Sequence, residues 1–596
     1  MTITTNPDAL ACTSLVSSTS LPRPEYPRPQ FVRDQWLNLN GPWTFRIDNE
    51  GRGHAAGFAL SRGFETPILV PFAPESRLSG VGLTDFIEAI WYHRHLAVPA
   101  EWAGSRILLH FGGVDYESEI FVDGISVAHH WGGSSSFEVD LTDRVVPGRV
   151  HELVVWARDD VRSGVQPGGK QSHQRHSHDC FYSRTTGIWQ SVWLEPVHPA
   201  GLRRCDIVPD LDGERFLFTP VFYQYRIGQR FRISVRDAGG EAGVVVGAAA
   251  NGTTLELRVP SPRVWRPGDP WLYECTFEVL DREGEVIDRV GSYAGMRKVH
   301  LEGDIICLNN EPLYLRFVLD QGFYPDGNWT APSDEALRRD IELAMSCGFN
   351  GARLHQKVFE ERFHYWADRL GYLTWGESPS WGLDVKSEVA ARNFLAEWKE
   401  IVRRDRNHPS IIAWTPLNET WDTAQPRVSR RLHVDAYELT RALDPTRPVN
   451  DASGGCHVVT DLYTVHIYEQ DPAELHRKLK LTAEGTAWQT LGDREAAWAG
   501  QPYVVSEFGG IRWIPAGRAP FAGNSWGYGD TPDSVEHFYE RLSGQVEAIL
   551  GCSHIRGYCY TQLTDVEQEE NGLFTYGREP KFEVSRLRRI FGSPRE

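Results

Sequence analysis

Residues 407–419 read NHPSIIAWTPLNE: a turn-forming start, an apolar run from Ile411 to Trp414, and the polar pair Asn418-Glu419 at its end. A short apolar run bounded by turn residues reads as a buried strand. The same texture returns seven more times after residue 298: LYLRFVL (313–319), FNGARLH (349–355), GYLTWGE (371–377), PVNDAS (448–453), YTVHIY (463–468), YVVSEFGG (503–510) and GYCYTQL (557–563). Amphipathic stretches separate these runs. In DEALRRDIELAMSCG (334–348), Ser333 offers an N-terminal cap, Asp334 and Glu335 favour the positive helix end, and Gly348 marks the stop. Strands alternating with helices predict a parallel α/β arrangement. Polar residues close nearly every strand, which favours a (β/α)8 TIM barrel over 298–596 rather than a doubly wound sheet, because a barrel gathers those ends into one site.

Upstream the texture is different. WTFRI (43–47), RILLHFGG (106–113), SEIFVDG (118–124) and HELVVWARDD (151–160) are short runs broken by Gly and Asp. The Asp123-Gly124 step between IFV and ISVAHH suits a hairpin turn. Residues 29–199 are therefore expected to form a jelly-roll β-sandwich of sugar-binding type. FRISVRD (231–237), TTLELRV (253–259) and YECTFEVLD (273–281) continue the pattern, and 200–297 are expected to form an immunoglobulin-like sandwich. Residues 1–28, rich in Ser, Thr and Pro, have no basic start followed by an apolar stretch, so a disordered tail is expected rather than a secretory signal.

A formal charge of −18 argues against a nucleic-acid partner and an anionic membrane surface, and no apolar run approaches the length of a membrane span. Nine cysteines, none in a Cys-x-x-Cys spacing, point to reduced thiols and a cytoplasmic location.

The strand ends carry the candidate chemistry. They are Asp320 and Gln321, Arg353 and His355, Glu377, Asn418 and Glu419, His466 and Tyr468, Glu507, and Gln562, with Trp414, Trp526 and Asp565 close by in sequence. Glu419 ends the fourth run and Glu507 the seventh, so a closed barrel sets them face to face. Two facing carboxyls suit glycosidic cleavage: one protonates the leaving oxygen while the other stabilises or captures the oxocarbenium-like carbon. Each glutamate alone has a plain alternative as the partner of an arginine.

LNGPW (39–43), TTGIWQSVWLEPV (185–197), NNEPLYLR (309–316) and NHPSIIAWTPLNE together resemble glycoside hydrolase family 2, the family of β-galactosidases, β-glucuronidases and β-mannosidases. The resemblance runs from about residue 30 through nearly the whole chain. It implies a retaining exo-glycosidase with Glu419 as acid/base, Glu507 as nucleophile, Asn418 on the sugar 2-hydroxyl and Arg353 beside the nucleophile. It implies a carbohydrate substrate and no cofactor or obligatory metal, and it leaves a homo-oligomer open.

The glycone is less legible. Relatives that cleave glucuronides carry an Asn-x-Lys element after strand eight, where this chain has Glu569-Glu570-Asn571. Gln562 stands where many relatives have Trp, and Phe317 where they usually have Gly. A neutral β-D-galactoside is expected, pyranoside or furanoside, with glucuronide, mannoside and xyloside as alternatives and a silent lectin as the non-enzymatic one. Two other motifs carry less. GNSWG (523–527) matches a serine-hydrolase elbow but lacks the strand that must precede it. His173, His176 and His178 near Asp179 read as a loop near the pocket mouth rather than a metal site. Trp381, Trp513 and Trp526 are expected around the sugar.

Overall fold

The computed structural model describes residues 21–237, 240–420, 426–521 and 525–593. All eight expected barrel strands are present among them. Seven form one curved parallel sheet in the spatial order 411–415, 373–377, 351–354, 315–320, 555–561, 503–509, 463–467. The remaining strand, Ala452–Ser453, pairs in parallel with Leu417–Asn418, the extension of strand four. Side chains complete the ring between strands five and six. Asn450 Nδ2 donates to Leu462 O at 2.9 Å and Gly454 N donates to Thr464 Oγ1 at 3.1 Å.

Alternation along each strand decides what faces the ring's interior. Phe317, Leu319, Leu373, Trp375, Ala413, Val504 and Cys559 fill it. Val318, Ala352, Leu354 and Val505 point outward to the helices. The Phe317 ring lies over Gly351, where an added Cβ would come within 2.3 Å of it, so the bulky residue on strand one is accommodated by a glycine on strand two. The first helix, Asp334–Ser346, begins as expected, with Ser333 accepting from Ala336 N at 3.3 Å.

Two β-sandwiches precede the barrel. The first sets a four-stranded sheet against a six-stranded one around Trp43, Tyr92, Leu109, Phe111 and Val155. Its hairpin pairs Glu117–Val122 with Ile125–Trp131, and Asp123 and Gly124 both have positive φ, 50° and 79°, as the tight turn requires. The second packs a three-stranded and a four-stranded sheet around Phe216, Phe218, Phe231 and Phe277. No disulfide joins the eight described cysteines, and no described helix is long and apolar enough to cross a membrane.

One expectation is corrected. Residues 21–28, expected to belong to a disordered tail, run as an ordered strap over the molecule; residues 1–20 lie outside the described residues. Buried Arg23 forms a bidentate pair with Glu360 of the barrel at 2.9 and 2.6 Å. Further along, Arg33 reaches Asp288 of the second sandwich and Glu195 of the first. A Pro-rich stretch of low hydrophobicity gives no periodic signal, so long-range ion pairs of this kind are invisible in it.

Because Glu360 would be left facing a low-dielectric wall, Arg23→Ala is expected to cost about 2–3 kcal/mol. A lowered thermal midpoint with the sheet signal in circular dichroism unchanged before the transition is the expected readout.

Candidate active site

Strand two delivers Arg353 to the barrel axis, wholly buried. Its Nε donates to Glu377 Oε2 at 2.7 Å, and Nη1 to Glu507 Oε1 at 2.8 Å and to Ser506 O at 3.2 Å; Nη2 donates to Asn418 Oδ1. One planar cation thus fixes the ends of strands three, four and seven.

Glu507 reaches this position through a bulge. Between Val465 and His466 the register jumps from Val505 to Glu507, so two residues of strand seven oppose one of strand six. A bulge re-aims the next side chain, and here it turns Glu507 inward beside Ser506. Burial pushes the Glu507 carboxyl up, but His466 and Arg353 together with the Tyr468 hydroxyl outweigh it and hold it at about 2. The group is an anion at any working pH. Burial drives His355 well below the usual imidazole range, with Lys170 and Arg353 adding to the effect, so that ring is neutral.

Glu419 adopts a left-handed conformation, φ 44°, at the end of strand four. Its Oε1 lies 2.6 Å from His466 Nδ1, while His466 Nε2 lies 3.4 Å from Glu507 Oε1. The imidazole bridges the two carboxylates. One oxygen from each carboxylate lies within 4.8 Å of the other, and these two with His466 are a trio whose geometry also suits a cation. Gly454 and Gly455 make this crowding feasible: a Cβ on Gly454 would stand 2.1 Å from the His466 ring, and one on Gly455 3.0 Å from Glu419 Cα. Only glycine allows the chain to pass there.

A second network forms the opposite wall. Gln321 Nε2 donates to Gln562 Oε1 (2.6 Å), Gln562 Nε2 to Asn571 Oδ1 (2.7 Å) and Asn571 Nδ2 to Glu569 Oε1 (3.0 Å). Tyr182 of the first sandwich donates to Glu569 Oε2 and accepts from Gln321, closing a ring of five side chains. Among the buried polar atoms with no hydrogen-bond partner within the protein are Gln321 Oε1, an acceptor, and Asn418 Nδ2, a donor. Lys170, also from the first sandwich, lies over the Trp381 ring at 4.3 Å. Burial works against its charge, but Cys180, Glu569, Glu507 and Glu419 more than offset that and keep it protonated.

Arg353, His355, Glu377, Asn418, Glu419, His466, Tyr468 and Glu507 are therefore brought together around the two carboxylates, and Gln321 and Gln562 form the adjoining wall. Glu377 is buried behind Arg353 and also accepts from Gln356 N, so it positions the arginine rather than facing open space. Trp526 stands at the rim, its Nε1 donating to Asp179 O at 2.6 Å. Its neighbour Tyr528 stacks on Tyr468 at 3.4 Å.

Four expectations fail, two of them by parity. Asp320 shares the outward face of Val318; it accepts from Gly322 N and faces Asp340 and Arg578. Trp414 points to the helices, donates to Asp444 Oδ2 at 2.9 Å and packs on Trp398, so it gives Glu419 no apolar wall. Asp565 is bound to Lys581 Nζ at 2.7 Å and Gly572 N at 2.9 Å, which makes it a staple of its own loop. Trp513 likewise packs near Phe538 on the helical side. Gly523 and Asn524 of the elbow-like motif lie outside the described residues. His178 stacks on Phe181 and His173 meets that ring edge-on, and no described metal-type cluster includes them.

Lys170, Tyr182, Gly454 and Gly455 are the residues that sequence reasoning missed. The first two come from a loop of another domain, and the glycines follow a two-residue strand with no pattern of its own.

Two facing carboxylates in a barrel mouth, one held as an anion, are an arrangement suited to glycosidic cleavage. Comparison with known proteins agrees. Three family models match: the sugar binding domain of glycosyl hydrolases family 2 over residues 37–195, the family 2 middle segment over 229–297, and the family 2 TIM barrel domain over 299–517. The chain belongs to glycosyl hydrolases family 2. A beta-glucuronidase of Paenibacillus borealis is 25% identical over 93% of this chain and 96% of its own length. A beta-galactosidase of Thermoanaerobacter pseudethanolicus is 25% identical over 67% of this chain and 53% of its own. Among solved structures, the β-glucuronidase of Ruminococcus gnavus in complex with D-glucuronic acid aligns over 96% of this chain and 100% of its own, with TM-score 0.78 and 20% identity, a likeness of fold.

Two expected outcomes follow from this geometry. Gly454→Ala drives a methyl into His466 and is expected to lower kcat by about 100-fold or more, with an unchanged far-ultraviolet spectrum. Arg353→Met removes a cation that lowers the Glu507 carboxyl. Its pKa then rises, and the acidic limb of kcat/KM moves to higher pH; a profile superimposable on wild type apart from amplitude contradicts that role.

Proposed function

We propose that this enzyme is a retaining exo-glycosidase acting on terminal β-D-galactosides, with Glu507 as nucleophile and Glu419 as acid/base. The observation that carries the mechanism is the approach of the two carboxylates, with one oxygen of each within 4.8 Å of one of the other. Retaining enzymes hold the pair about 5–5.5 Å apart, inverting ones about 6.5–9.5 Å to admit a water. In the first step a Glu507 oxygen bonds to the anomeric carbon as the bond to the aglycone breaks, and the Glu419 proton goes to the departing oxygen. In the second, Glu419 takes a proton from water, the hydroxide bonds to the same carbon, and Glu507 leaves as carboxylate. Asn418, oriented by Arg353, keeps its unpaired Nδ2 donor for a sugar hydroxyl. A binding protein has no use for a carboxylate held at about 2 beside a second one bridged by His466.

The wall opposite supports a neutral glycone. Glu569 stands in the ring of five side chains, and Gln321 Oε1 offers an acceptor that a sugar hydroxyl satisfies and a carboxylate does not. Gln562 replaces an aromatic platform with amide hydrogen bonds, which suits the exocyclic diol of a galactofuranoside as well as a galactopyranoside. A β-glucuronide is the second reading. It is favoured by the Paenibacillus and Ruminococcus likenesses and by the buried Lys170 ammonium.

A panel of p-nitrophenyl glycosides separates these. Hydrolysis of a β-D-galactopyranoside or galactofuranoside should exceed that of the β-D-glucuronide by at least about 100-fold, the discrimination expected when a buried polar group is left unpaired; the reverse order rejects the neutral glycone and leaves the mechanism intact. Glu507→Ala should lower kcat by about 10⁴-fold or more. Azide should restore turnover by forming an α-glycosyl azide, because it enters from the face the carboxylate vacates. A β-configured azide product from this variant would reverse the two assigned roles.

A further inference from the structure

The first sandwich carries a cluster unrelated to the barrel. Along strand Ala89–Ala97, Ile90, Tyr92 and Leu96 face the sandwich core, while His93 and His95 share the opposite face. On the adjacent antiparallel strand, Val150–Arg158, Glu152 stands directly opposite His95 and Val154 opposite His93. Residues two apart on one strand and the cross-strand neighbour of one of them are within side-chain reach. Here they converge. Glu152 Oε2 lies 2.6 Å from His93 Nε2 and 3.1 Å from His95 Nδ1, and all three atoms lie within 4.8 Å of one another.

The two imidazoles stand perpendicular, 5.1 Å apart, so their nitrogens approach a common point from different directions. The site has a buried wall and an open mouth: the His93 side chain is 4% exposed, Glu152 26% and His95 63%. Protein packing anchors one ligand while solvent reaches the other side.

We propose that His93 Nε2, His95 Nδ1 and Glu152 Oε2 form a binding site for a divalent transition cation of the Zn²⁺ type. Two neutral imidazoles and one carboxylate match the donors that Zn²⁺ prefers. Ca²⁺ and Mg²⁺ are disfavoured because two of the three donors are nitrogen. Tetrahedral bonds of about 2.0–2.1 Å place donor atoms about 3.3 Å apart. The 3.1 Å pair already fits, and the partly exposed Glu152 needs to withdraw only by about 0.7 Å from His93. The fourth position faces the open side and takes water. Without the cation, the carboxylate oxygen lies within 3.1 Å of a nitrogen of each ring. The bound ion would tie two central strands of the six-stranded sheet, so its effect is on stability and not on glycoside cleavage.

The test uses the full-length chain stripped with a chelator and titrated calorimetrically with Zn²⁺, in parallel with His95→Ala and Glu152→Gln. Two other trios on this chain, His300 with Glu302 and Cys307, and the active-site trio, offer similar atoms. Assignment therefore rests on the equivalent that the variants lose. One micromolar-range equivalent should disappear in both variants while glycosidase activity without Zn²⁺ stays as in wild type. Zn²⁺ should raise the melting temperature of wild type by several degrees and that of the variants by less. Replacing Zn²⁺ with Co²⁺ should give the strong visible absorption of a four-coordinate site in wild type alone. Isotherms that are the same in all three proteins, or no binding in that range, overturn the proposal.

Discussion

A single guanidinium organises the barrel mouth. Arg353 is fully buried, and moving such a charge out of water is costly unless carboxylates and well-aimed acceptors surround it. Glu377, Glu507, Asn418 and the Ser506 carbonyl do so, from three strands of the ring. The cation therefore dictates how strands two, three, four and seven meet. It also divides the two catalytic candidates electrically. Glu507 is gripped directly, whereas Glu419 touches the network only through His466. The carboxyl that double displacement needs as an anion is the one the cation touches.

That division depends on backbone features as much as on side chains. Regular alternation in strand seven would put Ser506 on the inner face and Glu507 on the outer one; the bulge at 505–507 admits both. Strand four ends with Glu419 at positive φ, a conformation that costs a non-glycine residue of order 1 kcal/mol. Gly454 and Gly455 pass so close to Glu419 and His466 that no other residue fits. The site is thus held by local departures from ideal geometry that the surrounding packing over-determines.

The sequence reveals those parts that repeat. Eight apolar runs closing on polar residues are a pattern, and so is a cap such as Ser333, and the barrel follows from them. Parity errors arise where the pattern is followed to its last residue: Asp320 lies one position too early to face inward, while its neighbour Gln321 does. Trp414 fails for the same reason, with Thr415 taking the inner position and accepting from Trp375 Nε1. Contacts that span domains have no local signature at all. Lys170 and Tyr182 arrive from a sandwich about four hundred residues away from Glu569 in the chain, and Arg23 reaches Glu360 from a stretch that reads as disordered.

The overall fold and the glycone wall carry different information. A chain covered from end to end by glucuronidase-like architecture owes that likeness to two sandwiches and a barrel, whose cores tolerate most substitutions that keep volume and pattern. Sugar choice rests on a few groups at the mouth. Gln321, Gln562, Asn571, Glu569 and Tyr182 satisfy one another in a closed circuit, so changing any one strands a buried donor or acceptor on its neighbour. Such a circuit cannot be converted stepwise into a carboxylate clamp without passing through unsatisfied intermediates. The ring therefore ties the proposed neutral specificity to the same first-sandwich loop that supplies Lys170, and the two domains share one binding surface.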